Sequence, residues 1–120
     1  MGDFRNLILY QKAFHNAMLI FELSKRFPDS EKYGLTPQIR NCSRSVCSNI
    51  AEGYRKRRYT KHFISKYTDA DMENSETIVW LDFALACKYI SQLEHDDLIA
   101  RVEEVGRMLN HAINNPIKFA

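Results

Sequence analysis

The sequence predicts an all-α fold, an antiparallel up-down-up-down four-helix bundle, on three observations. Apolar residues recur at roughly seven-residue spacing in separate stretches, the seam pattern of packed helices. Breakers are scarce: the 120 residues hold four Gly and three Pro, and each Pro falls at a candidate helix edge. The stretches between the apolar repeats are short, which favours antiparallel neighbours. The length suits one domain spanning residues 1–120.

The first helix is expected from about Asp3 to Arg26. Leu7, Tyr10, Phe14, Ala17 and Phe21 mark its stripe, widened by Ala13, Met18 and Ile20. It ends before Phe27-Pro28, where proline forbids continuation. After the loop "PDSEKYGL", Thr36 as N-cap with Pro37 at the first helical position predicts the next start. Ile39, Cys42, Val46 and Ile50 form the second stripe, with small Ser43, Cys47 and Ala51 beside it. Gly53 is expected to stop this helix in a left-handed C-cap.

The third helix is expected from Tyr59 or Thr60 to about Ile90, carrying Phe63, Tyr67, Ala70, Leu81 and Leu85. Its polar middle, "DADMENSE", is either a solvated face or a surface that meets another subunit. After "SQLEHDD", Leu98, Val102, Val105, Leu109 and Ala112 trace a fourth stripe that closes at "NNP".

Net charge is only +2, but its distribution is uneven. Tyr54 to Thr68 holds six Lys or Arg and no acid; Asp69 to Glu76 holds four acids and no base. A nearly neutral chain can therefore present a basic patch. Cys42, Cys47 and Cys87, odd in number and without a CxxC pair, read as small buried hydrophobes in a reducing compartment. No apolar run approaches the ~20 residues needed to span a bilayer, so a cytoplasmic protein with no membrane partner is expected.

One block carries a resemblance: Phe27, Pro28, Glu31, Gly34, Leu35, Thr36, Gln38 and Arg40, then Ser45, Asn49, Ile50, Ala51, Glu52 and Gly53. It resembles the signature of the four-helix-bundle proteins first noticed as open reading frames in the intervening sequences of bacterial 23S rRNA genes. Glu76-Thr77 with Trp80-Leu81 also suits that pattern. Met72-Glu73-Asn74 departs from it, since many relatives carry small residues there. The resemblance implies a bundle that assembles into a ring, typically of five subunits. A distant fold cousin, the accessory variability determinant of diversity-generating retroelements, is a ring of bundles that binds nucleic acid and a reverse transcriptase. Self-association has its own signal here, because the first helix is apolar around most of its circumference.

Arg55, Lys56, Arg57 and Arg58, with Lys61 and Lys66 on the following turns, concentrate positive charge at the second inter-helix corner. Tyr54, Tyr59 and His62 offer rings for stacking on exposed bases. Contact with RNA or DNA is one reading; a solvated loop on a scaffold that recruits a partner protein is the other. Arg40 and Arg44, one turn apart on the second helix, either extend that patch or pair with acids across an oligomer interface, and the second reading is favoured. Asn49 and Glu52 are expected to satisfy backbone at the corner, Glu52 pairing with Arg55 or Lys56. No catalytic residue is assigned, because Glu52 has no nucleophile or His beside it. No metal or other cofactor is assigned either. Asp69, Glu73 and Glu76 share a helical face, but Glu-x-x-His pairs are absent, and the four His fall at no zinc-like spacing.

Overall fold

Four helices carry the chain through residues 3–116, which the computed structural model describes. A 3-10 turn at Phe4–Asn6 precedes α1 (Ile8–Ser24), and a second at Asp29–Glu31 precedes α2 (Leu35–Arg55). Then come α3 (Thr60–Ala86) and α4 (Gln92–Asn114), with no strand among the described residues. Both α1 and α3 pack against α2 and α4, which places α1 and α3 on the diagonal of a four-helix bundle. Its extents are 44 × 25 × 21 Å.

The α4 stripe is buried as the spacing predicts: Leu98, Val102, Val105, Leu109 and Ala112 all lie in the core. On α1 the seam is rotated from its expected position. Leu9, Ala13, Asn16, Ala17, Ile20 and Ser24 face inward, whereas Phe14 and Met18 are exposed and Tyr10 and Phe21 half-buried. Small inward residues let α1 approach its neighbours closely, and the larger rings move to the flank. Cys42 and Cys47 are buried as expected; Cys87, at the end of α3, is exposed.

A polar layer divides the core. Leu9, Val46, Ile50, Phe63, Tyr67 and Leu109 pack at one end, and Ile20, Ile39, Leu81, Leu98 and Val102 at the other. Between them Asn16 donates to the Arg101 carbonyl at 3.1 Å, and Asn74 to that of Val102 at 2.9 Å. Ser43 and Thr77 close the layer with bonds to Ile39 and Glu73 carbonyls. Every donor here has a partner, as burial requires. The "DADMENSE" stretch thus sends Asn74 inward, to a face of α4 where Gly106 has no Cβ; one added there would come 3.3 Å from the amide.

Helix boundaries depart from expectation for identifiable reasons. Helix α1 ends at Ser24, not Arg26. The α2 cap is not Thr36: the helix begins at Leu35, whose N–H donates to Glu31 Oε1 at 2.9 Å. The other Glu31 oxygen accepts from the Tyr89 hydroxyl at 2.8 Å, tying the loop to the end of α3. Helix α3 stops at Ala86, not Ile90, because Lys88 turns left-handed (φ 64°). Tyr89 N–H then reaches the Ala84 carbonyl and Lys88 N–H that of Leu85, a Schellman closure with lysine where glycine is usual. Helix α4 starts at Gln92, because Ser91 and Glu94 form a reciprocal capping box.

Glu31 supplies a pH signature. Its carboxyl sits below the ordinary carboxylate value, first through the Leu35 N–H and then through Tyr89. A lowered folded-state pKa stabilises above the unfolded value and ceases to do so as pH falls through the folded one. The melting-temperature gap between wild type and Glu31→Gln should therefore be widest near about pH 7 and narrow toward about pH 3. Thermal melts across that range check it; a constant gap removes Glu31 from this role.

Candidate nucleic-acid interface

Gly53 does not end α2. The helix runs on to Arg55, with Lys56 as C-cap, and no glycine among the described residues has positive φ. Gly53 is instead buried against Tyr67. A Cβ there would lie 2.6 Å from Tyr67 Cδ1 and 2.7 Å from Cε1. Glycine lets the α3 ring rest on the α2 backbone, just beneath the basic turn.

The turn is tight. Lys56 N–H bonds the Glu52 and Gly53 carbonyls, Arg57 N–H that of Tyr54, and Tyr59 N–H that of Lys56 at 2.8 Å. Arg57 folds back: its Nη1 donates to the Tyr54 carbonyl at 2.9 Å, and its guanidinium lies 4.2 Å from the Tyr54 ring centroid. Lys66 pairs with Glu52 at 3.0 Å, so Glu52 meets the next helix and not Arg55 or Lys56. Asn49 bonds the Ser45 carbonyl at 2.9 Å within its own helix.

Arg55, Lys56, Arg58 and Lys61 are exposed, and none is ion-paired among the described residues. Arg55 is still within electrostatic reach of Asp3. That carboxyl lies below its usual range first through its bond from the Arg5 N–H, and Arg55 adds a smaller effect. Beside these cations, Tyr59 is 63% exposed, with the His62 ring edge-on at 6.3 Å. The expected cluster therefore splits into outward charges and two that brace the turn. Sequence spacing could not separate them, since Arg57 differs from its neighbours only by falling over Tyr54.

Arg40 and Arg44 lie elsewhere, in the groove between α1 and α2. Their guanidinium carbons sit 4.8 Å and 5.6 Å from the centroid of Phe21 of their own chain. Among the described residues no three metal-capable side chains converge. Asp69, Glu73 and Glu76 remain an acidic face, with the Glu73 carboxyl raised first by burial and then by Glu76. Among the described residues no helix is long and apolar enough to cross a membrane.

Residues 5–111 match the family described as 23S rRNA-intervening sequence protein. The chain belongs to that family. A solved structure from Bacteroides thetaiotaomicron, described as a protein of unknown function from the S23 ribosomal protein family, superposes with a TM-score of 0.82. It is 24% identical, covering 89% of this chain and 96% of that one, so what is shared is the fold. No curated protein matches the chain. The residues that carry the resemblance take part in the contacts just described: Glu31 holds the start of α2, Glu52 pairs with Lys66, and Gly53 makes the close approach to Tyr67.

Proposed function

We propose that this protein is a non-enzymatic, cytoplasmic, ring-forming bundle that contacts single-stranded RNA or DNA through the α2–α3 turn. The carrying observation is the set of four outward cations, Arg55, Lys56, Arg58 and Lys61, beside the exposed Tyr59. Lysine and arginine neutralise phosphates and release counterions, while an aromatic face accepts any base. Arg57 and Lys66 shape the platform. Titration of a labelled single-stranded RNA at increasing salt tests this reading. Affinity should fall with a log–log slope near −0.7 per neutralised phosphate, about −2 to −3 for this cluster. Binding without salt dependence, or none at low salt, overturns it.

Two apolar surfaces support a ring. Phe14 (50% exposed) and Met18 flank α1; Met72, Val79 and Phe83 (54% exposed) run along α3. Unlike surfaces on diagonal helices fit a heterologous contact, which closes into a ring when the rotation allows. Light scattering should then give a wild-type mass several times the 14.1 kDa chain, five times in the arrangement the family resemblance favours. Phe83→Glu, which places charge on the exposed α3 stripe, should shift it to the monomer. A monomeric wild type overturns the ring. Repetition of the basic turn around it would raise avidity without new contacts.

A further inference from the structure

A second concentration of positive charge lies toward the opposite end of α2, and there it is concave. The end of α1, the following loop and the first turns of α2 border an open cleft of ≈ 390 Å³. Lys25, Lys32, Arg40 and Arg44 line it against a single carboxylate, Asp29. Lys25 has its own partner in Glu22, at 3.2 Å. Neither arginine is ion-paired among the described residues. Arg40 is nevertheless held in place: its Nε donates to Ser24 Oγ at 2.7 Å, and Phe21 supports its guanidinium. Arg44 shares that ring from one turn further on. Lys25 Nζ lies over the same ring at 4.9 Å, so three like charges share it and repel each other. An anion between the two arginines and Lys32 would reverse the sign of that interaction.

We propose that this cleft binds a phosphate group, held by Arg40 and Arg44 with Lys32 at its rim. Guanidinium forks match phosphate oxygens bidentately, and two forks with an ammonium exceed what one carboxylate can neutralise. The volume is that of a small-molecule site. The group belongs either to a small phosphate monoester or to the backbone of a strand. Arg44 and Arg55 are eleven residues apart, about 16 Å along the helix, so a strand on the basic turn can reach the cleft.

The test uses the intact protein in buffer free of phosphate. Melting temperature and calorimetric binding are followed with potassium phosphate against potassium chloride of equal ionic strength. Adenosine 5′-monophosphate and an oligonucleotide lacking terminal phosphates are then titrated. Phosphate should give a saturable rise in melting temperature, and Arg44→Gln should weaken it about tenfold or more. Arg55→Gln should leave it unchanged, which separates this site from the basic turn. Because Arg40 also braces Ser24, Arg44→Gln and Lys32→Gln carry the test if Arg40→Gln unfolds. Preference for the mononucleotide assigns a monoester; competition by the oligonucleotide, lost in Arg44→Gln, assigns a backbone phosphate. A response no greater than chloride, or one unchanged in Arg44→Gln and Lys32→Gln, overturns the site. The first of these is also the result expected if a carboxylate of a second copy fills the cleft.

Discussion

Gly53→Ala should destabilise the protein by about 1–3 kcal/mol, the cost of forcing an extra methyl into a close-packed interior. The sign makes the experiment sharp. In an open helix the same change gains about 1 kcal/mol, because alanine is the better helix former. Here the new methyl would meet two ring carbons of Tyr67 at 2.6 and 2.7 Å and Lys66 Cβ at 3.1 Å. The Tyr67 ring is 1% exposed and lies 4.3 Å, centroid to centroid, from the equally buried Phe63. It cannot swing aside without moving that neighbour. Urea or thermal unfolding reads the loss directly. Tyr67→Leu should cost stability in the wild type yet relieve the clash, so the double variant should lose less than the sum of the two. A stabilised Gly53→Ala would show that α2 and α3 meet more loosely at the corner.

The same residue shows where local sequence rules stop. A glycine at the end of an apolar repeat reads as a helix stop, because only its own neighbourhood is visible. The reason for it lies fourteen positions downstream, in a ring from another helix. Helix α4 is legible because its stripe is buried throughout and, apart from Ala112, made of large aliphatic residues. Helix α1 is less legible for the converse reason: its large Phe14 and Phe21 sit on the flank, while Ala13, Asn16 and Ala17 occupy the seam. Asn74 and Thr77 look like solvated positions until the carbonyls that receive them are known. The start of α4 was recoverable, since Ser91-x-x-Glu94 is a capping-box pattern. Lysine at Lys88, by contrast, gives no warning of the left-handed turn that ends α3.

That division between local and tertiary causes also decides how the basic run should respond to mutation. Removing Arg55, Lys56 and Arg58 together, each to Gln, should reduce the magnitude of the salt slope by about 2, at about 0.7 per lost phosphate contact on a single strand. Affinity near physiological salt should drop by about an order of magnitude or more, with little change in stability, because these side chains are exposed and without an ion-pair partner among the described residues. Arg57→Gln should behave in the opposite way. Its guanidinium is committed to the Tyr54 carbonyl and ring, so its loss weakens the turn and leaves the slope nearly intact. Tyr59→Ala separates a third contribution, since stacking is worth about 1–3 kcal/mol per base and releases no counterions. Affinity should fall there at constant slope. Salt titrations of the three variants on one labelled strand distinguish these outcomes. If the triple substitution leaves slope and affinity unchanged, the turn is a solvated surface, and any nucleic-acid contact must be sought elsewhere on the bundle.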